Sequence, residues 1–131
     1  MREMVKIFKS LSDTNRLRIL KMLEIRPMAV CEISAVLGLA MSTVSKHLYL
    51  LREAGFLEDR KEGKWVIYAL PERPGPHQRE LLALLTRWLE LEEAVQKDRQ
   101  RAGNVDRFQL CGVPHSAEGK EDAPAGTESL C

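Results

Sequence analysis

Apolar residues recur along the front of the chain at the three-to-four spacing that lines up side chains on one face of a helix. Met4, Ile7, Phe8 and Leu11 predict a first helix over residues 4–11. Ser12 and Asp13 then offer side-chain oxygens to cap a second helix, which carries Leu17, Leu20 and either Leu23 or Glu24 on one side and Arg16, Arg18 and Lys21 elsewhere around the cylinder. It runs to about Ile25, and Pro27 ends it. A third helix is predicted over 29–37, with Val30, Ile33 and Leu37 inward and Gly38 supplying a left-handed terminus. After the tight turn Gly38-Leu39-Ala40, a fourth helix over 41–54 buries Val44, Leu48 and Leu51. It leaves Ser42, Thr43, Ser45, Lys46 and Tyr49 on the outer face, and Gly55 stops it.

Two β-prone runs follow, 56–60 and 65–70, joined by Lys61-Glu62-Gly63-Lys64, whose glycine permits the positive φ of a hairpin turn. This predicts a two-stranded wing. Beyond Pro71, Pro74, Gly75 and Pro76, residues 77–101 carry Leu81, Leu85, Trp88 and Val95 on a stripe widened by Leu82, Leu84, Leu89 and Leu91. Read as one helix of about 25 residues, it is roughly 40 Å long at 1.5 Å per residue. One small domain cannot cover so broad an apolar face, so a homodimer contact is expected there. The fold class is therefore mostly α with a β-hairpin: a domain over 1–102, followed by a Gly-, Pro-, Ser- and acid-rich tail over 103–131 that holds two cysteines.

The chain has 131 residues, 44% hydrophobic and 30% charged, which suits a globular domain and leaves no room for a large enzyme. It contains no run near the roughly 18 apolar residues of a membrane span, and its charged start lacks the apolar region of a signal peptide, so a cytoplasmic protein is expected. Cys31, Cys111 and Cys131 are odd in number and widely spaced, which favours free thiols over a disulfide framework. The net charge of +1 hides an asymmetry. Residues 1–70 hold 12 Lys and Arg against 8 Asp and Glu, whereas residues 104–131 hold 2 against 5. A mildly basic front suits a polyanion.

A helix, a tight turn and a second helix with small polar and basic residues outward is the arrangement that presents a helix to the major groove of double-stranded DNA. Ser42, Thr43 and Ser45 can donate at short range, Lys46 reaches farther, and His47 offers its ring nitrogens. Arg60, Lys61 and Lys64 cluster at the wing tip, where they can meet phosphates, although Glu58, Asp59 and Glu62 oppose them and a salt-bridged, solvated hairpin is the plainer reading.

The runs LSDTNRLRIL (11–20), STVSKHLYLLREAGFL (42–57) and DRKEGKWVIYAL (59–70) resemble the ArsR/SmtB family of winged-helix repressors, in particular its arsenical-resistance repressors, over about residues 4–100. The resemblance implies a homodimer, joined through its first and last helices, that occupies its own operator DNA until a thiophilic ion binds. Repressors of that type carry Cys-Val-Cys at the start of the third helix, where this chain reads Ala29-Val30-Cys31. One thiol is therefore missing there. Arsenic(III) and antimony(III) favour two or three thiolates. Cys31 with Cys111 and Cys131, the tail pair alone, or a tail crossing to a second subunit all fit. The family's zinc-type site on the last helix is unsupported, since that helix has His77 alone.

Three rivals remain. A repressor of the same fold can respond to thiol oxidation or persulfide. A thiol enzyme needs a base or resolving partner that the sequence does not place beside any cysteine, so no enzyme is expected. A module that binds protein through the fourth helix and wing would lack the salt dependence of a duplex reader.

Overall fold

The computed structural model describes residues 1–110. Helices α1 (Arg2–Leu11) and α2 (Thr14–Leu23) lead into a short strand β1 (Met28–Ala29), then α3 (Val30–Leu37) and α4 (Met41–Glu53). The hairpin β2 (Glu58–Glu62) and β3 (Trp65–Ala69) follows, and α5 (Pro76–Trp88), α6 (Glu93–Ala102) and α7 (Arg107–Leu110) complete the order.

Local chemistry sets most boundaries. The Asp13 carboxylate caps α2 by accepting the Asn15 and Arg16 backbone N–H groups at 2.8 and 3.1 Å. Glu32, at the third position of α3, reaches back to accept the Ala29 N–H at 2.8 Å, half of a capping box whose other half Ala29 has no oxygen to make. Gly38 ends α3 at φ +73°, where any Cβ would be strained. Ile7, Ile19, Leu20, Ile33, Val44, Leu48, Leu51 and Phe56 are fully buried together, so the faces predicted for α2, α3 and α4 meet in one core, while of the α1 face Ile7 is fully buried, Leu11 packs on the core and Phe8 is exposed.

The wing has three strands rather than two. β3 is central, paired antiparallel with β2 on one side and with β1 on the other, Met28 opposite Tyr68 and Ala29 opposite Ile67. Two residues after a proline carry no period to read, so β1 exists only through its partner strand.

The single helix expected over 77–101 is two helices, broken at residues 89–92. Lys21 explains the break. Placed by its spacing off the leucine face of α2, it is 1% exposed. Its Nζ donates to the Thr86 carbonyl in the last turn of α5 at 3.1 Å, to Glu90 Oε1 at 3.2 Å and to Glu24 Oε1 at 2.9 Å. A buried ammonium without partners costs several kcal/mol, and three oxygens offset that cost. Arg99 of α6 grips Glu90 from the other side at 2.6 and 2.9 Å. The polar helix α6 thus turns back over α2 instead of running into solvent, and Arg18 closes a two-bond fork on Asp98, both bonds 2.9 Å.

Residues 103–110 stay on the domain. Arg26 donates to the Ala102 and Val105 carbonyls, Val105 packs against the core, and α7 lies against α3. The apolar surplus of α5 is real: none of its residues is fully buried, and Trp88 and, beyond it, Leu91 are exposed, as are Val5 and Phe8 of α1.

Candidate nucleic-acid interface and thiol site

Helices α3 and α4 meet at 111°, within the range by which a helix-turn-helix holds its second helix clear of its first. Ser42, Thr43, Lys46 and Tyr49 are exposed on α4, while Val44, Leu48 and Leu51 anchor its opposite face. No side chain caps the first turn of α4, whose N-cap is Ala40. Its leading N–H groups and positive dipole end therefore accompany the two hydroxyls toward an anion.

The other predicted contacts differ. Ser45 is half-buried, and its Oγ is enclosed with no hydrogen-bond partner among the described residues. His47 is half-buried, with Nδ1 3.1 Å from Arg16 Nη1. The Asp13 carboxyl beside them sits below the ordinary range. Burial pushes it up, but the backbone bonds from Arg16 and Asn15 and the positive charge nearby outweigh that. On the wing, Arg60 pairs with Glu62 at 2.6 Å, so the salt-bridged reading holds for it, while Lys61 and Lys64 are exposed at the tip.

Arg52, which the sequence did not single out, ties α4 to the wing through Asp59 at 2.8 Å, and that hydrogen bond and charge raise its pKa above the usual guanidinium value. A groove of about 590 Å³ beside α4 is rimmed by Arg2, Lys6 and Lys9 of α1 and by Arg16, with Val5 and Leu50 between them. Basic residues at positions 2, 6 and 9 lie on one helix face, a signal the sequence carried unread.

Cys31 is buried in a cluster with Ala29, Trp65 and Ile67, and Met41, the first residue of α4, packs on the same cluster. That cluster joins the central wing strand to the start of α4. Cys31 is disulfide-bonded, which corrects the expectation of a free thiol there: a sulfur held near a second sulfur is a disulfide when oxidised and a thiolate pair when reduced. Cys111 and Cys131 lie outside the described residues. Next to Cys31, the carboxylate of Glu32 accepts from Arg26 at 3.1 Å and from the Arg107 backbone N–H at 3.2 Å. Arg107 also meets Glu62 of the wing at 3.5 Å and lies over the Trp65 ring at 5.6 Å, and Phe108 packs edge-on to that ring at 4.8 Å. Among the described residues no group of three or more His, Cys, Asp and Glu could hold a metal ion.

Residues 13–59, from the cap of α2 to the second residue of β2, match the family model for bacterial regulatory proteins of the arsR family. A cadmium resistance transcriptional regulatory protein CadC homolog of Staphylococcus aureus is 34% identical over 91 residues, 63% of this chain and 75% of that protein. The chain belongs to the ArsR family. The arsenical resistance operon repressor of Escherichia coli K12 is 45% identical over 67 residues, 50% of this chain and 57% of that protein. The match to the arsenic resistance transcriptional regulator ArsR1 of Pseudomonas putida likewise spans little more than half of that relative's length, 55%. Among solved structures, the homodimeric winged helix-turn-helix DNA-binding domain of Mb0332 from Mycobacterium bovis superposes with a TM-score of 0.57 at 29% identity, covering 65% of this chain and 76% of that one. The fold of this ArsR-family regulator is thus a winged helix, and its relatives of stated role are transcriptional regulators.

Proposed function

We propose that the chain is a homodimeric repressor that holds double-stranded operator DNA through α4 and the wing and releases it when arsenic(III) or antimony(III) is taken by Cys31 together with thiols of the C-terminal segment, Cys111 and Cys131. Ser42, Thr43, Lys46, Lys61 and Lys64 supply the outward contacts. Ser45 and Arg60 join them only after giving up their enclosed or paired positions. His47 contributes from the flank. The exposed apolar residues of α1 and α5 form the contact between two copies, which sets two α4 helices in successive grooves.

One observation carries the sensor reading: Cys31 belongs to one small buried cluster with Trp65 of β3, and Met41 of α4 packs against that cluster. Any change in volume or charge at that sulfur presses on the two elements that meet DNA. Soft ions need more than one thiolate, and a cysteine able to form a disulfide stands within reach of a second sulfur. The names of the relatives from Escherichia coli and Pseudomonas putida point to the same inducer class.

A second reading follows from the disulfide itself. Two thiols can pass two electrons and two protons to a hydroperoxide, which leaves as water and an alcohol, and the resulting bond at Cys31 would then be the releasing signal. Fluorescence anisotropy of a labelled duplex from upstream of the protein's own gene separates the two. With reduced protein, arsenite restores fast tumbling, and Cys31→Ser abolishes that response while retaining duplex affinity. Release by a hydroperoxide with indifference to arsenite would replace the first reading by the second.

A further inference from the structure

The Arg16 guanidinium is fixed on three sides. Nε donates to the Ser10 carbonyl at 2.8 Å and Nη2 to the Lys9 carbonyl at 3.3 Å, both in the last turn of α1. This fork aims Nη1 at His47 Nδ1, 3.1 Å away across the boundary between α2 and α4. A guanidinium only donates, so Nδ1 must be the nitrogen with the lone pair, and the ring proton of the neutral imidazole sits on Nε2. Nε2 has no hydrogen-bond partner among the described residues. His47 lies one turn beyond the exposed Thr43 and beside Lys46, at the edge of the outward face of α4.

We propose that Arg16 is a positioning residue that locks His47 as the Nε2–H tautomer, making it a dedicated donor to a purine N7 or a phosphate oxygen of the bound duplex. This rests on the DNA-binding reading above. A ring free to switch tautomers could also accept from the amino groups of cytosine or adenine. The locked ring cannot, so the Arg16 contact narrows what α4 reads.

Two measurements on the full chain test it. In long-range 1H–15N correlation spectra of the protein without DNA, His47 shows the single Nε2–H pattern. Arg16→Met converts it to a mixture of tautomers, and Arg16→Lys, which keeps a donor, restores it. A lost anchor for α1 would not by itself move that pattern, and circular dichroism checks that each variant is folded. The second measurement uses a duplex selected by the wild-type protein from a randomised pool, scanned with 7-deazapurines in one arm and methylphosphonates in the other. The wild type loses affinity about fivefold to tenfold at one substituted position, the scale of one hydrogen bond, and His47→Ala is insensitive there. The arm that responds identifies base or backbone as the acceptor. A mixed tautomer in the wild type, an unchanged pattern in Arg16→Met, or no position shared with His47→Ala in a duplex bound tightly overturns the proposal. Failure to select any duplex overturns the DNA-binding reading and the donor role with it, while the spectra still decide the Arg16–His47 lock.

Discussion

Glu32 is the residue through which stability and the thiol site are most tightly joined. Its carboxylate is 2% exposed and carries four interactions: Oε1 accepts the Ala29 N–H at 2.8 Å and faces Arg107 Nη1 at 3.5 Å, and Oε2 accepts from Arg26 at 3.1 Å and from the Arg107 N–H at 3.2 Å. Glu32→Ala removes the cap of α3, about 1 kcal/mol, and leaves the buried Ala29 N–H without a partner, about 1–3 kcal/mol. The overlap of these two terms and the loss of the Arg26 bond bring the expected total to about 3–4 kcal/mol. Glu32→Gln keeps one oxygen for Ala29 but sets an NH2 against donors of Arg26 and Arg107, for a loss of about 2 kcal/mol. Urea unfolding followed by circular dichroism gives both values from the midpoint shift at unchanged slope. A cost below about 1 kcal/mol for Glu32→Ala would refute the claim that this carboxylate organises the start of α3 and docks the segment after α6.

Arg18→Met strips the two-bond fork from Asp98, which is 2% exposed, and among the described residues leaves Arg101 at 3.5 Å, so a loss of about 3 kcal/mol is expected, with hydrogen exchange rising first in α6. Hydrogen bonds from Arg99 and Lys21 pull the Glu90 carboxyl from 4.5 to about 2. A depressed carboxylate stabilises above its unfolded pKa and loses that contribution as pH falls, so the stability gap between wild type and Glu90→Gln is constant above about pH 5 and closes between 4.5 and about 2 in a pH series of thermal melts. Arg52→Met frees the wing from α4 while the fold persists, and anisotropy titrations should show duplex affinity falling about threefold to tenfold, the scale of one ion pair at an interface.

What the sequence disclosed is what local chemistry decides. Asp13 beside a helical run, Gly38 after Leu37 and Gly63 between two β-prone runs each act within a few residues, and the caps and turns stand where those residues put them. The stripe read on α1 included the exposed Phe8, whereas the apolar stripes of α2 to α4 were legible for the same reason, as was the outward polar set of Ser42, Thr43 and Lys46. The fold-back of α6 was not. Its holding pairs, Arg18 with Asp98 and Lys21 with Glu90, join residues 80 and 69 apart, and a leucine-rich pattern through Leu89 and Leu91 conceals the break. The basic residues of α2, three apart, and the acids at 90 and 98, eight apart, share no spacing that could have signalled the pairing. The partners of Arg16, Arg52 and Arg107 went unread because an arginine on a helix reads as solvated surface until its partner is located.

The account depends on α4 and the wing of two copies meeting a duplex. Anisotropy of a fluorescent fragment from upstream of the protein's own gene, titrated with reduced protein over a series of salt concentrations, tests this most directly. The prediction is saturable slowing of the tumbling, with affinity falling linearly in log salt as phosphate counterions are released. Tumbling unchanged at every protein and salt concentration would contradict it.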